Sequence, residues 1–197
     1  MTTVSCNEPE DGILEVCLNR PDRLNAINPA LIAELIEVFR GLQRDRQVRV
    51  VILTGAGKGF CSGADLQEFV APGGIPGTAG MSQLGFVYKF QEYLADLMLT
   101  GRIIDAVEAR EIRLVSRVVR PADLASTAMD AARSIRENSE YGVWMTKKGL
   151  WTNVDAPSLR HAMELENRTQ VRGSCSGCVE ESMQAFVEGR KPSWKPL

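Results

Sequence analysis

The sequence predicts an α/β fold followed by a helical C-terminal region. Near the start of the chain, a strand-like segment, an amphipathic helix and an apolar, β-branched segment follow one another. A glycine-rich turn comes directly after the third segment, and the pattern is helical from Pro121 onward. Strands that alternate with helices are typical of layered α/β architectures, so these observations favour that class.

The first elements can be justified residue by residue. A strand is predicted at residues 13–18, and Pro21 ends it because proline cannot continue a ladder. Asn28 is expected to cap a helix with Pro29 in its first position, since the following apolar residues recur at helical spacing: Ile32, Leu35, Ile36 and Phe39. Residues 48–53 are mostly apolar and β-branched, which predicts a central strand covered on both faces.

The later elements follow from similar signals. The turn that begins at Gly55 leads into a short helix, and the glycines and prolines of residues 71–80 predict a loop. Asp105 and Glu108 have the spacing of a capping box. The remaining expectations are a strand at 114–119 and helices at 84–99, 121–136, 140–151, 155–171 and 178–188.

Composition excludes several classes of function. The chain has 197 residues, 44% of them apolar, and a net charge of −2, which is typical of a globular domain rather than a partner of nucleic acid or anionic lipid. Because neither a leader pattern nor a long apolar run occurs, we expect a cytoplasmic protein without a membrane span. The five cysteines are an odd, scattered number, so reduced thiols are expected.

The glycine-rich turn does not fit either phosphate-binding motif. A dinucleotide fingerprint that starts at Gly55 needs a third glycine where Phe60 stands. A P-loop needs Ser or Thr after Lys58, where Gly59 stands. Both hypotheses are therefore rejected.

A thiol hydrolase is an alternative at the same turn. Residues 59–63 fit the G-x-C-x-G pattern of a nucleophile elbow around Cys61, and His161 comes later in the chain as that order requires. However, Cys61 lies seven residues beyond Thr54, whereas an elbow sits at the end of its strand. Cys175 and Cys178 have zinc-like spacing, but no second pair of ligands is near them, so no metal site is predicted.

The turn can also act through its backbone. Gly63 permits a close approach of a ligand, and the N–H groups of Ala64 and Asp65 are expected to be unsatisfied at the start of a helix. Such donors stabilise an oxyanion, for example the enolate of a thioester, by about 3 kcal/mol each. The plain alternative is an ordinary glycine-rich loop between a strand and a helix.

At these residues the sequence resembles the enoyl-CoA hydratase/isomerase (crotonase) superfamily. The matching segments occur in the family's order and span both ends of the chain. They are residues 19–26 (NRPDRLNA), 48–55 (VRVVILTG), 60–66 (FCSGADL) and 99–109 (LTGRIIDAVEA), together with Glu181, Ala185 and Phe186.

The resemblance implies a spiral of β-β-α turns in residues 1–120 and a helical oligomerisation region in residues 121–197. It implies an enoyl-CoA hydratase or isomerase of fatty acid metabolism that assembles as a trimer or a dimer of trimers. Coenzyme A would be part of the substrate, with no separate cofactor. The Ala64 N–H would be an oxyanion donor, and the expected substrate-binding residues are Asp22, Arg23, Leu24, Ala64, Asp65, Leu66 and Gln67.

The chain departs from the family between about residues 69 and 98, where several tens of residues are missing. In the family, that segment supplies the second oxyanion donor and the glutamates that move protons, so no general acid or base is assigned here. Loss of both groups slows a reaction by about four to seven decades. A non-catalytic homologue that binds acyl-CoA or assembles with full-length subunits is therefore a second hypothesis. The nearby carboxylates could act only if repositioned; they are Asp65, Glu68 and Glu92.

Two smaller departures concern single positions. Arg113 stands where the family has glycine. Gly189 stands where a lysine that contacts CoA often follows, although Arg190 or Lys191 could supply that charge.

Overall fold

The computed structural model describes residues 2–69, 97 and 99–194. Within them the fold is mixed α/β with mostly helical content. The strands are β1 (Val4–Glu10), β2 (Ile13–Leu18) and β3 (Val50–Gly55), and the helices are α1 (Pro29–Leu42), α2 (Leu66–Phe69), α3 (Ala106–Glu111), α4 (Leu124–Arg136), α5 (Glu140–Val154), α6 (Leu159–Ser174) and α7 (Cys178–Glu188).

The described strands form one sheet in the order β1-β2-β3. Only Asp11 and Gly12 join β1 to β2, so this pair is an antiparallel hairpin. The N–H of Val50 donates to the carbonyl of Gly12, and the N–H of Ala56 donates to that of Leu18. Both strands therefore advance in the same direction, and β3 runs parallel to β2 after the crossover through α1.

Strand β2 confirms the prediction at residues 13–18, but β1 had not been predicted. Its sequence is polar, and only Val4 is buried. Pro9 lies within it, which is typical of a strand at the edge of a sheet. An edge strand with one buried side chain lacks the hydrophobic alternation by which strands are found in a sequence.

The prediction for β3 is correct in type, but the strand is only partly covered by the described residues. The strand begins at Val50 rather than at residue 48, and among the described residues it lies at an edge. Leu53 is 44% exposed. No described strand pairs with the outer edge of β3. Its β-branched side chains, which are typical of a strand covered on both faces, are therefore not fully covered by the described residues.

Helix α1 begins as predicted. The N–H of Leu31 donates to Oδ1 of Asn28 at 2.9 Å, which satisfies one of the free donors of the first turn. Pro29 occupies the first helical position, where no N–H is needed. Leu31 is fully buried on the inner face, whereas Ile36 and Phe39 are each 43% exposed.

The C-terminal helices confirm the helical prediction, with α4 preceded by a single 3₁₀ turn at Pro121–Asp123. Helix α3 has the predicted cap, since Oδ1 of Asp105 accepts from the N–H of Glu108 at 2.8 Å. The strand predicted at 114–119 is wrong: those residues form bends and coil. A strand needs a ladder partner, and none of the described strands pairs with this segment. The loop predicted at 71–80 and nearly all of the helix at 84–99 lie outside the described residues.

The chain divides into two compact units that alternate along the sequence. Unit 1 comprises residues 1–5, 17–41 and 54–127, and unit 2 comprises residues 6–16, 42–53 and 128–197. Helix α2 lies in unit 1, and helices α5, α6 and α7 lie in unit 2. None of the helices in the described ranges combines the length and the apolar character that crossing a bilayer requires.

Candidate functional site

The predicted oxyanion turn is held by a short parallel bridge between Ile27 and Ala64 in unit 1. The N–H of Ile27 donates to the carbonyl of Gly63, and the N–H of Asp65 donates to the carbonyl of Ile27, both at 2.8 Å. In such a bridge the two bonds flank the central residue, whose own N–H and C=O point to the opposite side. The peptide groups of Ala64 are therefore directed away from Ile27.

The bridge affects the two predicted donors differently. The N–H of Asp65 is used in the bridge, so the expectation that it is unsatisfied is wrong. For the N–H of Ala64, in contrast, no described residue provides an acceptor, and Ala64 is exposed. Within the described part of the turn, one backbone donor next to Gly63 thus remains for a ligand.

Gly63 gives the turn its shape. Its φ is +96°, a backbone conformation that residues with a Cβ atom rarely adopt. The space around it is open, because a Cβ atom built there would meet nothing within 4 Å. The glycine is therefore required for its backbone conformation rather than for lack of room.

Asn25 connects the loop after β2 to the glycine-rich turn. It is fully buried and has a φ of +55°. Its Oδ1 accepts from the N–H of Arg20 at 2.9 Å, and its Nδ2 donates to the carbonyls of Ala56 and Gly59 at 2.9 and 2.8 Å. One amide side chain thus fixes two loops that are about thirty residues apart in sequence.

A polar cluster surrounds the bridge. The Arg20 guanidinium donates from Nη1 to the Ala26 carbonyl and from Nη2 to Oδ2 of Asp65, at 3.0 Å, and Oε1 of Glu68, at 2.8 Å. Nδ2 of Asn28 donates to the other oxygen of Glu68 at 2.7 Å. Both oxygens of Glu68 are therefore held by neighbours.

The pKa of Asp65 is set by opposing effects. Burial disfavours the charged carboxylate and alone would raise the pKa. The hydrogen bond from Arg20 and the backbone N–H of Glu68 lower it, as do the charges of Arg20 and Arg23. The net result is a pKa below the usual value, so Asp65 is ionised at neutral pH and is unsuited to act as a general acid.

The other predicted substrate-binding residues lie on the exposed side of this unit. Nη1 of Arg23 donates to Oε1 of Gln67 at 2.9 Å, which joins the loop after β2 to helix α2. Asp22 is exposed, and Leu24 and Leu66 are 51% and 73% exposed. The structure brings Arg23 and Gln67 together, and the binding role of each residue stays a prediction.

The geometry around Cys61 lends no support to a thiol hydrolase. Its Sγ accepts from the N–H of Gly63 at 3.4 Å. No imidazole is among the hydrogen-bond partners of Cys61 within the described residues. Cys175 and Cys178 are free thiols, and the described residues contain no group of three ligands that could hold a metal ion.

Arg190 and Lys191, which follow α7, are engaged in ion pairs. Arg190 contacts Glu181 at 2.6 Å and Glu188 at 2.5 Å. Lys191 contacts Glu137 at 2.6 Å. The suggestion that either cation replaces a lysine that binds CoA therefore requires these pairs to open.

Unit 2 contains a cavity of about 410 Å³ among helices α5, α6 and α7. Its walls are mainly apolar, and they include Met145, Leu150, Leu165 and Val179. None of the predicted substrate-binding residues lines it.

Sequence comparison decides the family. The family model of enoyl-CoA hydratase/isomerase matches residues 8–83 and 89–196, which is nearly the whole chain. The chain belongs to the enoyl-CoA hydratase/isomerase family. By family it is an acyl-CoA enzyme of the hydratase/isomerase type, and the resemblance seen in the sequence motifs is confirmed.

Individual members of the family give the same result. The chain is 26% identical to "Probable enoyl-CoA hydratase echA12" of Mycobacterium leprae, over 95% of this chain and 91% of that protein. It is 25% identical to the 1,2-epoxyphenylacetyl-CoA isomerase of Escherichia coli, over 94% of this chain and 95% of that protein.

Solved structures of the family confirm the predicted crotonase fold. An enoyl-CoA hydratase from Bacillus anthracis superposes with a TM-score of 0.87 at 22% identity, over 99% of this chain and 100% of the other. An enoyl-CoA hydratase/isomerase from Mycobacterium abscessus gives a TM-score of 0.84 at 26% identity, over 98% and 99% of the two chains.

The alignments also show that the chain is short for its family. The alignment with the M. leprae protein spans 268 positions, whereas this chain has 197 residues. At least 71 of those positions (268 − 197) are therefore gaps in this chain. The predicted shortening relative to family members is confirmed.

Proposed function

We propose that the Ala64 N–H binds the carbonyl oxygen of an acyl-CoA thioester and stabilises the enolate formed at the adjacent carbon. The observation that carries the proposal is the bridge to Ile27, which uses the N–H of Asp65 and leaves that of Ala64 directed away from it. Negative charge develops on the thioester oxygen in the transition state, so a preorganised donor lowers the barrier there.

The remainder of the ligand would lie along the exposed side of the same unit. Arg23 and Gln67 are joined across the loop, and the Arg23 guanidinium suits a phosphate of coenzyme A. We propose that the ligand contacts Asp22, Arg23, Leu24, Ala64, Asp65, Leu66 and Gln67. Coenzyme A is then part of the substrate, and a role in fatty acid metabolism of the cytoplasm is part of this proposal.

The first test is ligand-dependent thermal stability. Crotonyl-CoA should raise the Tm by an amount that grows with its concentration, because it binds the folded state. Ala64→Pro removes the N–H and should reduce the shift, whereas Ala64→Gly keeps the N–H and serves as the matched control. No shift at millimolar crotonyl-CoA would count decisively against an acyl-CoA site.

A second candidate is a homologue that binds acyl-CoA without turning it over, or that assembles with full-length subunits. It is favoured by the gaps of at least 71 positions in the alignment with the M. leprae protein (268 − 197). Absence of a second oxyanion donor and a general acid/base would slow hydration by about four to seven decades. Hydration of crotonyl-CoA at an ordinary rate would eliminate this candidate, and binding without turnover would support it.

We also propose that the chain forms a homo-oligomer, a trimer or a dimer of trimers by analogy with the family. The described C-terminal helices expose many large apolar side chains, which favours burial against a partner. The most exposed of these are Leu150, Leu159, Val171, Met183, Phe186 and Val187.

A further inference from the structure

The Arg20 side chain ties together the two segments that form the bridge at Ala64. Its Nη1 donates to the carbonyl of Ala26, the residue before Ile27. Its Nη2 donates to Oδ2 of Asp65, the residue after Ala64, at 3.0 Å. One planar guanidinium therefore connects the neighbours of both bridge residues.

Arg20 is itself held in a fixed position. Its N–H donates to Oδ1 of Asn25 at 2.9 Å, and its carbonyl accepts from the N–H of Asn25 at 2.9 Å. The side chain is 13% exposed, and Nη2 also donates to Glu68 at 2.8 Å. A partly buried guanidinium with three acceptors is well suited to positioning its neighbours.

We propose that Arg20 is a positioning residue that fixes the direction of the Ala64 N–H. This inference rests on the proposed function of that N–H. The turn needs such a support because Gly63, directly before Ala64, has a φ of +96° and has open space around it. Glycine permits many backbone conformations, and hydrogen bonds weaken steeply when the donor angle changes.

The geometry of arginine is essential to this role. The two terminal nitrogens of the guanidinium point in different directions within one plane, so they can reach Ala26 and Asp65 together. A lysine ammonium is a single centre and is expected to hold one side of the bridge at a time. Arg20→Lys should therefore still fix the direction of the Ala64 N–H in part, and Arg20→Met should not fix it at all.

The experiment measures what the thioester oxygen adds to binding. Isothermal titration gives the Kd of butyryl-CoA and of S-butyl-CoA, a thioether that lacks the carbonyl oxygen. In the wild-type protein butyryl-CoA should bind about 3- to 10-fold more tightly, as expected for one additional hydrogen bond. Arg20→Met should reduce this ratio to near one while the Kd of S-butyl-CoA stays unchanged, and Arg20→Lys should give an intermediate ratio.

Controls separate this inference from the proposed function. Ala64→Pro should abolish the ratio, and Arg40→Met, which removes an exposed ion pair with Glu37, should leave it intact. A wild-type ratio of one, or a ratio that survives Ala64→Pro, overturns the donor role of Ala64 and with it this inference. If the ratio falls to one in Ala64→Pro but keeps its wild-type value in Arg20→Met, the role of Arg20 is overturned and the donor role of Ala64 stands.

A milder variant keeps the proposal testable if Arg20→Met does not fold. Asp65→Asn keeps the size of the side chain and weakens only one arm of the connection. It should lower the ratio less than Arg20→Met does, and the ratio cancels any contact between Asp65 and the CoA moiety that both ligands share. An unchanged ratio in both Asp65→Asn and Arg20→Lys would contradict the proposal even if Arg20→Met failed to fold.

Discussion

At the scale of single residues, Asn25 makes three hydrogen bonds through its side chain within unit 1. It is fully buried, and all three hydrogen bonds of its side chain go to backbone groups of the two loops beside the site. Removal of the side chain would leave one partly buried N–H and two partly buried carbonyls without their partner. Each unsatisfied buried group costs about 1 to 3 kcal/mol.

Asn25→Ala is expected to lower the free energy of unfolding by about 2 to 4 kcal/mol, because part of the loss is recovered by water. The positive φ at this position adds strain for alanine, because asparagine adopts the left-handed region more readily than other residues with a Cβ atom. Urea denaturation measures the change. Asn7→Ala, at an exposed position in β1, is the control and should be nearly neutral.

The sequence motif contained Arg20 and Asn25, but its residue types did not predict their contacts. Asn25 bonds to residues 31 and 34 positions away, and Arg20 bonds to residues 45 and 48 positions away. Such partners depend on the path of the chain. The Ala64 N–H has no acceptor among the described residues, as predicted, whereas the loss of the Asp65 N–H to Ile27 is again a non-local effect.

At the scale of elements, helix α1 depends on its cap. Asn28→Ala should cost about 1 kcal/mol in the free energy of unfolding, because it removes the acceptor of the Leu31 N–H and the donor to Glu68. Asn28→Ser keeps a capping oxygen and should recover most of the loss. Chemical denaturation of both variants measures the difference, and equal losses would show that the cap is not the cause.

Helix α7 carries a pH-dependent contact. The hydrogen bond from Arg190, followed by the Ser193 N–H, lowers the pKa of Glu181 from 4.5 to about 2, although burial opposes the shift. The ionised carboxylate is favoured in the folded state. Its contribution to stability is therefore full above about pH 4.5 and is lost as the pH falls towards 2.

Glu181→Gln should remove this dependence. The difference in unfolding free energy between the wild-type protein and the variant should be constant at neutral pH and shrink as acid is added. Denaturation curves recorded across the acidic range provide the measurement. Glu180→Gln, at an exposed neighbouring position, is the matched control, and the same acid dependence in both variants would contradict the assignment.

The errors in predicting elements have a common cause. Residues 114–119 have the composition of a strand, and β1 does not. Pairing decides both outcomes: β1 is joined to β2 by a two-residue turn, whereas none of the described strands lies beside residues 114–119. Helices α4 to α7 were predicted well because their hydrogen bonds are local.

At the scale of the whole molecule, the exposed apolar side chains of the C-terminal helices lead to a prediction about assembly. Phe186 is 86% exposed on α7, and Phe186→Glu should shift the protein towards a monomer because it would place a charge in the proposed contact between subunits. Sedimentation velocity over a range of concentrations measures this. Phe39→Glu, on α1, is the control and should assemble normally. A wild-type protein that is monomeric at all concentrations would refute the proposed oligomer.

The alternation of the two units along the sequence has a practical consequence for anyone who wishes to dissect this protein. The backbone passes from one unit to the other five times, at residues 5, 16, 41, 53 and 127. No single cut therefore yields either unit intact. A fragment that starts at residue 121 would lack residues 6–16 and 42–53, and with them the Arg133–Glu10 and Arg49–Glu140 ion pairs. Permuted or co-expressed fragments are the appropriate route to an isolated half.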